Sequence, residues 1–236
     1  GAAVSSSDTY NTFLSSSGLS ANLRYFFRAA AVNRGGTMTA YSAAQGTYTL
    51  ANLPVSAEFT GVTGSAEQFN WTASNPGGTL YRVKVSTAPN PLSPSNAVVS
   101  SSDTYNLFLS STGLNGNTTY YYRAAAVNGD GVESTYSAAV GTSTLAAQPS
   151  AFDFTYTSSR TVQLDWSDSG NGPGTLYRVA ISTAPDPLAP NGAVVTSYDT
   201  FNLYVSTTDL TQNTYYYFRA ATRNNYGLFT SYTAAV

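Results

Sequence analysis

Leu114-Asn115-Gly116-Asn117-Thr118-Thr119-Tyr120-Tyr121-Tyr122-Arg123-Ala124-Ala125-Ala126 decides how this chain is read, because the stretch occurs three times. Its sister copies begin at Leu19 and Leu210. Each copy is a turn followed by a strand with alternating side chains. Tyr120, Tyr122, Ala124 and Ala126 point one way; Tyr121, Arg123 and Ala125 point the other. The first set is the expected core face. Working outward, Asp8-Thr9-Tyr10-Asn11, Asp103-Thr104-Tyr105-Asn106 and Asp199-Thr200-Phe201-Asn202 fall 95 and 96 residues apart, so the chain is an internal repeat of that length.

The half upstream of these markers occurs only twice. Phe69-Asn70-Trp71 returns as Leu164-Asp165-Trp166, and Thr79-Leu80-Tyr81-Arg82-Val83-Lys84-Val85-Ser86 returns as Thr175-Leu176-Tyr177-Arg178-Val179-Ala180-Ile181-Ser182. The one-residue insertion lies in Ser169-Gly170-Asn171-Gly172-Pro173-Gly174, a loop, which absorbs length changes without disturbing strands. Period-2 alternation dominates and no stretch holds a 3.6-residue period for three turns, so the fold class is all-β. Tyr81, Val83 and Val85 face inward, with Arg82 and Lys84 outside. Val162, Leu164 and Trp166 form another inward row, matched by Glu67, Phe69 and Trp71. Glu67 stands where an apolar residue belongs, and the cost of an unpaired buried charge places its carboxylate at a wet strand end.

Composition narrows the function. Hydrophobic residues make up 42% of the 236 residues and aromatics 14%, enough for real cores, while charged residues reach only 9%. Ser, Thr, Asn and Gly therefore carry the polar surface, as in many secreted and cell-surface proteins. Ten basic and twelve acidic residues lie scattered, with no electrostatic footprint for nucleic acid. The absence of Cys and His removes disulfides, thiol and Ser-His nucleophiles and most zinc geometries, so the chain is expected to be no enzyme and to need no cofactor or metal. No apolar run approaches a membrane span, and residues 25–32 are interrupted by Arg28. The chain opens on Gly1 with no leader pattern, which reads as a mature or excised piece of something longer.

Proline-rich Ser86-Thr87-Ala88-Pro89-Asn90-Pro91-Leu92-Ser93-Pro94 and its counterpart at residues 182–190 cannot donate to a central ladder and are expected at an edge or crossing. Thr49-Leu50-Ala51-Asn52-Leu53-Pro54 and Thr144-Leu145-Ala146-Ala147-Gln148-Pro149 join the repeats. Joints this short, each with a proline, predict a semi-rigid string of domains.

Seven short strands per repeat, a Trp on the second strand and a Leu six residues before a Tyr together resemble the fibronectin type III domain, over nearly the whole chain. The family's Leu-x-Pro-x-Thr-x-Tyr corner is matched by Leu114 to Tyr120 with Thr118, by Leu210 to Tyr216 with Thr214, and by Leu19 to Tyr25. Its Pro is replaced by Gly116, Gln212 and Ala21, and its Thr by Leu23 in the first copy. The resemblance implies tandem immunoglobulin-like β-sandwiches: a partial module over residues 1–53 holding later strands only, and domains over 54–147 and 148–236. Leu19, Leu114, Leu210, Tyr25, Tyr120, Tyr216, Trp71 and Trp166 are then structural core. Three later halves stand against two earlier ones, so identical chains cannot complete one another by exchanging halves. The missing early strands come from sequence upstream of Gly1 or from a partner strand in trans.

Several residues remain as candidate sites. Phe26 and Arg28, Tyr121 and Arg123, and Tyr217 and Arg219 recur on the outer face of the aromatic strand, with Arg82, Lys84 and Arg178 on the neighbouring one. They read either as a contact stripe for another subunit or for sugar rings, or as ordinary cross-strand packing. The following loops, Asn33-Arg34-Gly35-Gly36, Asn128-Gly129-Asp130-Gly131 and Asn224-Asn225-Tyr226-Gly227, contain no Arg-Gly-Asp and read as tight turns. Asp165, Asp168 and Asn171 offer oxygen ligands to calcium, but Asn70 and Ala73 replace the first two in the sister repeat. Asn70-Trp71-Thr72 and Asn117-Thr118-Thr119 are sequons that do not recur. Asp8, Asp103 and Asp199 are expected to cap the turn that follows each. These features suggest an extracellular or cell-surface structural or adhesive repeat protein of bacterial type, a rod, filament or surface-layer subunit that contacts its own kind or neighbouring repeats. The alternative is a spacer or carbohydrate-binding accessory module of a secreted polysaccharide-degrading enzyme.

Overall fold

The computed structural model describes residues 5–92, 98–186 and 194–236. In chain order the strands are β1 (Arg24–Phe27), β2 (Gln45–Tyr48), β3 (Val55–Thr60), β4 (Ala66–Thr72), β5 (Leu80–Ser86), β6 (Val98–Thr104), β7 (Phe108–Thr112), β8 (Thr119–Val127), β9 (Val140–Ser143), β10 (Ser150–Thr157), β11 (Val162–Ser167), β12 (Leu176–Ser182), β13 (Val194–Thr200), β14 (Tyr204–Thr207) and β15 (Tyr217–Arg223). All pairings between them are antiparallel.

The middle repeat is a sandwich of β3-β4-β7 on β6-β5-β8-β9, and the last repeats it as β10-β11-β14 with β13-β12-β15. The inward rows meet between the sheets, since each strand offers every second side chain to the partner sheet. Trp71 lies 5.6 Å from Tyr81 edge-on and 5.3 Å from Phe69, which stacks on Tyr122 at 5.2 Å. Trp166 meets Tyr177 edge-on at 5.7 Å in the same way. Around these rings Val83, Val85, Val179 and Ile181 are fully buried.

The corner tyrosines close the turn before each aromatic strand. Tyr25, Tyr120 and Tyr216 hydroxyls accept the backbone N–H of Ser20, Asn115 and Thr211 at 2.9, 2.9 and 2.8 Å. Trp71, Trp166, Tyr120 and Leu210 are buried, while Leu114 and Tyr216 lie half-buried against the two cores.

Three expectations need correction. Leu19 and Tyr25 are only half-buried, not core, because residues 5–53 pair β1 with β2 alone and bring nothing equivalent to β4 and β5 over them. Glu67 is 1% exposed, and neither carboxyl oxygen has a hydrogen-bond partner. Burial pushes the group up to about 7, with the neighbouring Tyr122 hydroxyl pulling the other way, so below about pH 7 the residue avoids a buried charge by holding its proton rather than by reaching water. Asp103 and Asp199 cap no turn. Thr104 and Thr200 accept the N–H of Asn106 and Asn202 instead, leaving both carboxylates to the arginines opposite. Of the proline-rich segments, residues 93–94 and 187–190 lie outside the described part of the chain.

Candidate functional site: the joint between modules

Arg82, Arg178, Lys84 and Arg219 of the outer face are engaged within their own modules. Arg82 holds Asp103 through two nitrogens at 2.8 Å and reaches Glu133 at 2.6 Å. Arg178 holds Asp199 at 2.6 and 2.7 Å and lies 4.3 Å from the Phe229 ring centroid. Both aspartates are held below the usual carboxylate range by their arginines. Lys84 sits over Tyr136 at 5.3 Å, and Arg219 approaches Asp186 at 3.3 Å. Arg123 stands opposite Lys84 on the paired strand, its Nε buried without a partner. The outward rings rest on glycines across the ladder, Phe26 opposite Gly46 and Tyr121 opposite Gly141, where a Cβ would meet the ring at 2.8 and 2.7 Å. Arg28 and Phe26 are exposed, and Tyr217 is half-buried.

The arrangement built twice with the same atoms is the joint. In the turn before each aromatic strand, Asn22, Asn117 and Asn213 adopt left-handed φ of 48°, 50° and 53°, a conformation Asn tolerates better than most residues. That geometry aims the side chain of Asn22 and Asn117 at the following module. Nδ2 of Asn22 donates to Thr79 Oγ1 at 2.8 Å, and its Oδ1 accepts Gly129 N–H at 3.0 Å. Asn117 makes the equivalent bonds to Thr175 Oγ1 at 3.0 Å and from Asn225 N–H at 2.9 Å. Each amide thus spans the start of the neighbour's β5 or β12 and its loop after β8 or β15.

Two further clamps recur. Asn75 accepts the N–H of Asn52 and donates to its carbonyl at 2.7 and 2.8 Å; Asn171 treats Ala147 likewise at 2.8 and 2.9 Å. The linker backbone is therefore held by a loop of the module it enters. In the other direction, Asp130 Oδ2 accepts Tyr48 N–H at 2.9 Å and the Thr47 hydroxyl at 3.0 Å. Tyr226, at the equivalent place, takes Ser143 N–H on its hydroxyl at 3.1 Å and shares a bond with Thr142 at 3.1 Å. The second joint adds a backbone bridge, Gly116 N–H to Gly170 carbonyl at 2.9 Å and Gly172 N–H to Gly116 carbonyl at 2.7 Å. The joint is close-packed at Gly172, where a Cβ would meet Thr118 Oγ1, and at Gly129, where it would meet the Tyr48 ring.

Sequence reasoning passed over the joint, treating Asn117 only as a sequon. Its signal was present: an Asn at the same turn position in all three copies, spaced in step with Thr79 and Thr175. At 6% exposed and with both amide atoms bonded, Asn117 has no room for a glycan. The three residues weighed for calcium are divided among separate tasks. Asp165 bonds Thr155 and Gln163, Asp168 caps Gly170, and Asn171 clamps the linker. Among the described residues no group of three or more Asp, Glu, His or Cys side chains forms a metal cluster, and no helix is long and apolar enough to cross a membrane.

No family model matches the sequence, and no curated protein does. Solved structures do. A two-domain fibronectin type III segment of chicken tenascin overlays with a TM-score of 0.53 at 16% identity, covering 78% of this chain and 97% of its own. The chicken CNTN1 FN1-FN3 segment gives 0.33 at 13% identity, covering 92% of this chain and 77% of its own, too loose an overlay to add weight. With the two-sheet topology and the tyrosine corners, the tenascin overlay settles the architecture: this chain has the fold of tandem fibronectin type III domains.

Proposed function

We propose that the chain is a non-catalytic structural repeat protein of the cell surface or extracellular space, working as a stiff rod or filament segment. The observation that carries this reading is the joint, whose bonds recur atom for atom at Asn22 and Asn117. A module needing no fixed neighbour would leave its turns to water. Here three asparagine or aspartate/tyrosine clamps per joint order the linker, and each such bond contributes about 0.5–1.5 kcal/mol. The charge-poor, hydroxyl-rich surface and the absence of His and Cys suit a protein that spans distance rather than one that turns over substrate.

Small-angle scattering tests the reading. An intact chain should give a pair-distance distribution with a resolved inter-module peak. The double variant Asn22→Ala, Asn117→Ala should broaden that peak while leaving each module folded. A compact, single-maximum distribution for the unmodified chain would refute the rod.

A further inference from the structure

Four Asn-Gly dipeptides occur in the chain, and three of them, Asn115-Gly116, Asn128-Gly129 and Asn171-Gly172, lie in its described part. The dipeptide carries a reaction of its own. The backbone nitrogen that follows an asparagine can attack the side-chain Cγ, and glycine, having no Cβ, shields that nitrogen least. To attack, the nitrogen must give up its proton and swing toward Cγ. All three glycine N–H groups are instead engaged, each by a group of the adjacent module. Gly116 donates to the Gly170 carbonyl at 2.9 Å and Gly172 to the Gly116 carbonyl at 2.7 Å, across the second joint. Gly129 donates to Asn22 Oδ1 at 3.0 Å, across the first. Two of the asparagines also hold a linker: Nδ2 of Asn171 donates to the Ala147 carbonyl at 2.9 Å and that of Asn128 to the Thr49 carbonyl at 3.3 Å.

We propose that Asn115, Asn128 and Asn171 are latent deamidation sites, held in check by the closed joint and released when it opens, so that an opened joint is permanently altered. The glycine nitrogen forms its bond to Cγ, the side-chain nitrogen leaves as ammonia, and the succinimide takes up one water to give aspartate or isoaspartate. Water is the one co-reactant. The product cannot rebuild the contact. At 128 and 171 an amide N–H that donated to a linker carbonyl becomes a carboxylate oxygen facing that carbonyl, leaving it unpaired. The isoaspartate form also takes an extra carbon into a backbone that is close-packed at Gly129 and Gly172. A chain whose joints flexed freely would run the same chemistry faster, so the rod reading can fail while this one holds.

The test incubates the full chain at mildly alkaline pH and follows each site by peptide mapping and mass spectrometry, with isoaspartate detected by its methyltransferase. Synthetic peptides of residues 110–122, 123–135 and 166–178 supply the unrestrained rates. Each site in the intact chain should react at least about tenfold more slowly than its peptide, the factor that one or two hydrogen bonds provide. Asn22→Ala, which lies on the first module, should speed Asn128 about tenfold and leave Asn115 and Asn171 unchanged. Asn117→Ala, set against a peptide with the same substitution, should speed Asn115 and Asn171 and leave Asn128 unchanged. Each variant spares one joint, so a general loss of folding would show as acceleration at all three sites. That uniform acceleration, rates equal to those of the free peptides, or no response to either variant would overturn the proposal.

Discussion

The buried Glu67 makes the middle module's stability depend on pH in a way its sister cannot share. Its folded-state value of about 7 stands against an ordinary 4.5. At about 1.4 kcal/mol per pH unit, ionising it inside the folded module costs about 3 kcal/mol. The folded value is raised and the group is an acid, so full stability is present below about pH 4.5, where both states hold the proton. It declines as the unfolded chain ionises first, and the whole increment is gone above about pH 7. For a module of this size that is a fall of roughly 10–20 °C in Tm. Val162 occupies the equivalent place in the last module and cannot titrate, so that module is an internal control within the same sample. Asp103 and Asp199 are paired alike in both modules and cancel in the comparison. Scanning calorimetry from pH 4.5 to 8 should show one transition sliding down while the other holds. Glu67→Val, copying the sister, should level the first and raise it at pH 8; Glu67→Gln should level it too. Parallel movement of both transitions, or a Glu67→Val chain still as pH-sensitive as the parent, would refute the argument.

Other expectations follow from the packing. Trp71→Ala and Trp166→Ala each open an aromatic cavity and should destabilise one module by about 3–5 kcal/mol, read as the loss of one of two denaturation steps. Asn117→Ala loses three side-chain bonds, to Thr175, Arg223 and Asn225, and puts alanine at φ 50°. It should widen inter-module angles in residual dipolar couplings without shifting either module's core resonances. Arg82→Ala, for all its three contacts, lies on a solvent-facing surface and should cost less than about 1 kcal/mol by urea titration. In a glycosylating host, mass spectrometry should find Asn117 unmodified.

The sequence reads well where physics acts locally and repeats. The inward row of Tyr120, Tyr122 and Ala124 follows from alternation, and the corner turns follow from a Leu and a Tyr six residues apart. Glu67 shows the limit of that logic. The energy argument against a buried charge is sound, yet it has two solutions, moving the carboxylate or keeping its proton, and only the Tyr122-lined interior decides between them. From the sequence Asp103 reads as a turn cap, since Asp often makes one. Its real partner, Arg82, lies across a ladder whose register no local rule supplies. The joint was hidden for the same reason, since Asn22 and Thr79 meet only when two modules are already folded and set end to end.

The exchange of Asp130 for Tyr226 gives two joints of one shape different chemistry. The N–H of Tyr48 and the hydroxyl of Thr47 hold the Asp130 carboxyl below its usual range. A depressed acid contributes its stabilisation above its unfolded value and loses it as pH falls through the folded one. A phenol has no proton to gain in that range. Acidification therefore weakens the Asp130 contact between the first and second modules while leaving the Tyr226 contact between the second and third unchanged, a difference that amide exchange at Tyr48 and Ser143 would register side by side. A single loop position thus lets each hinge of the array be tuned to its surroundings without altering a strand.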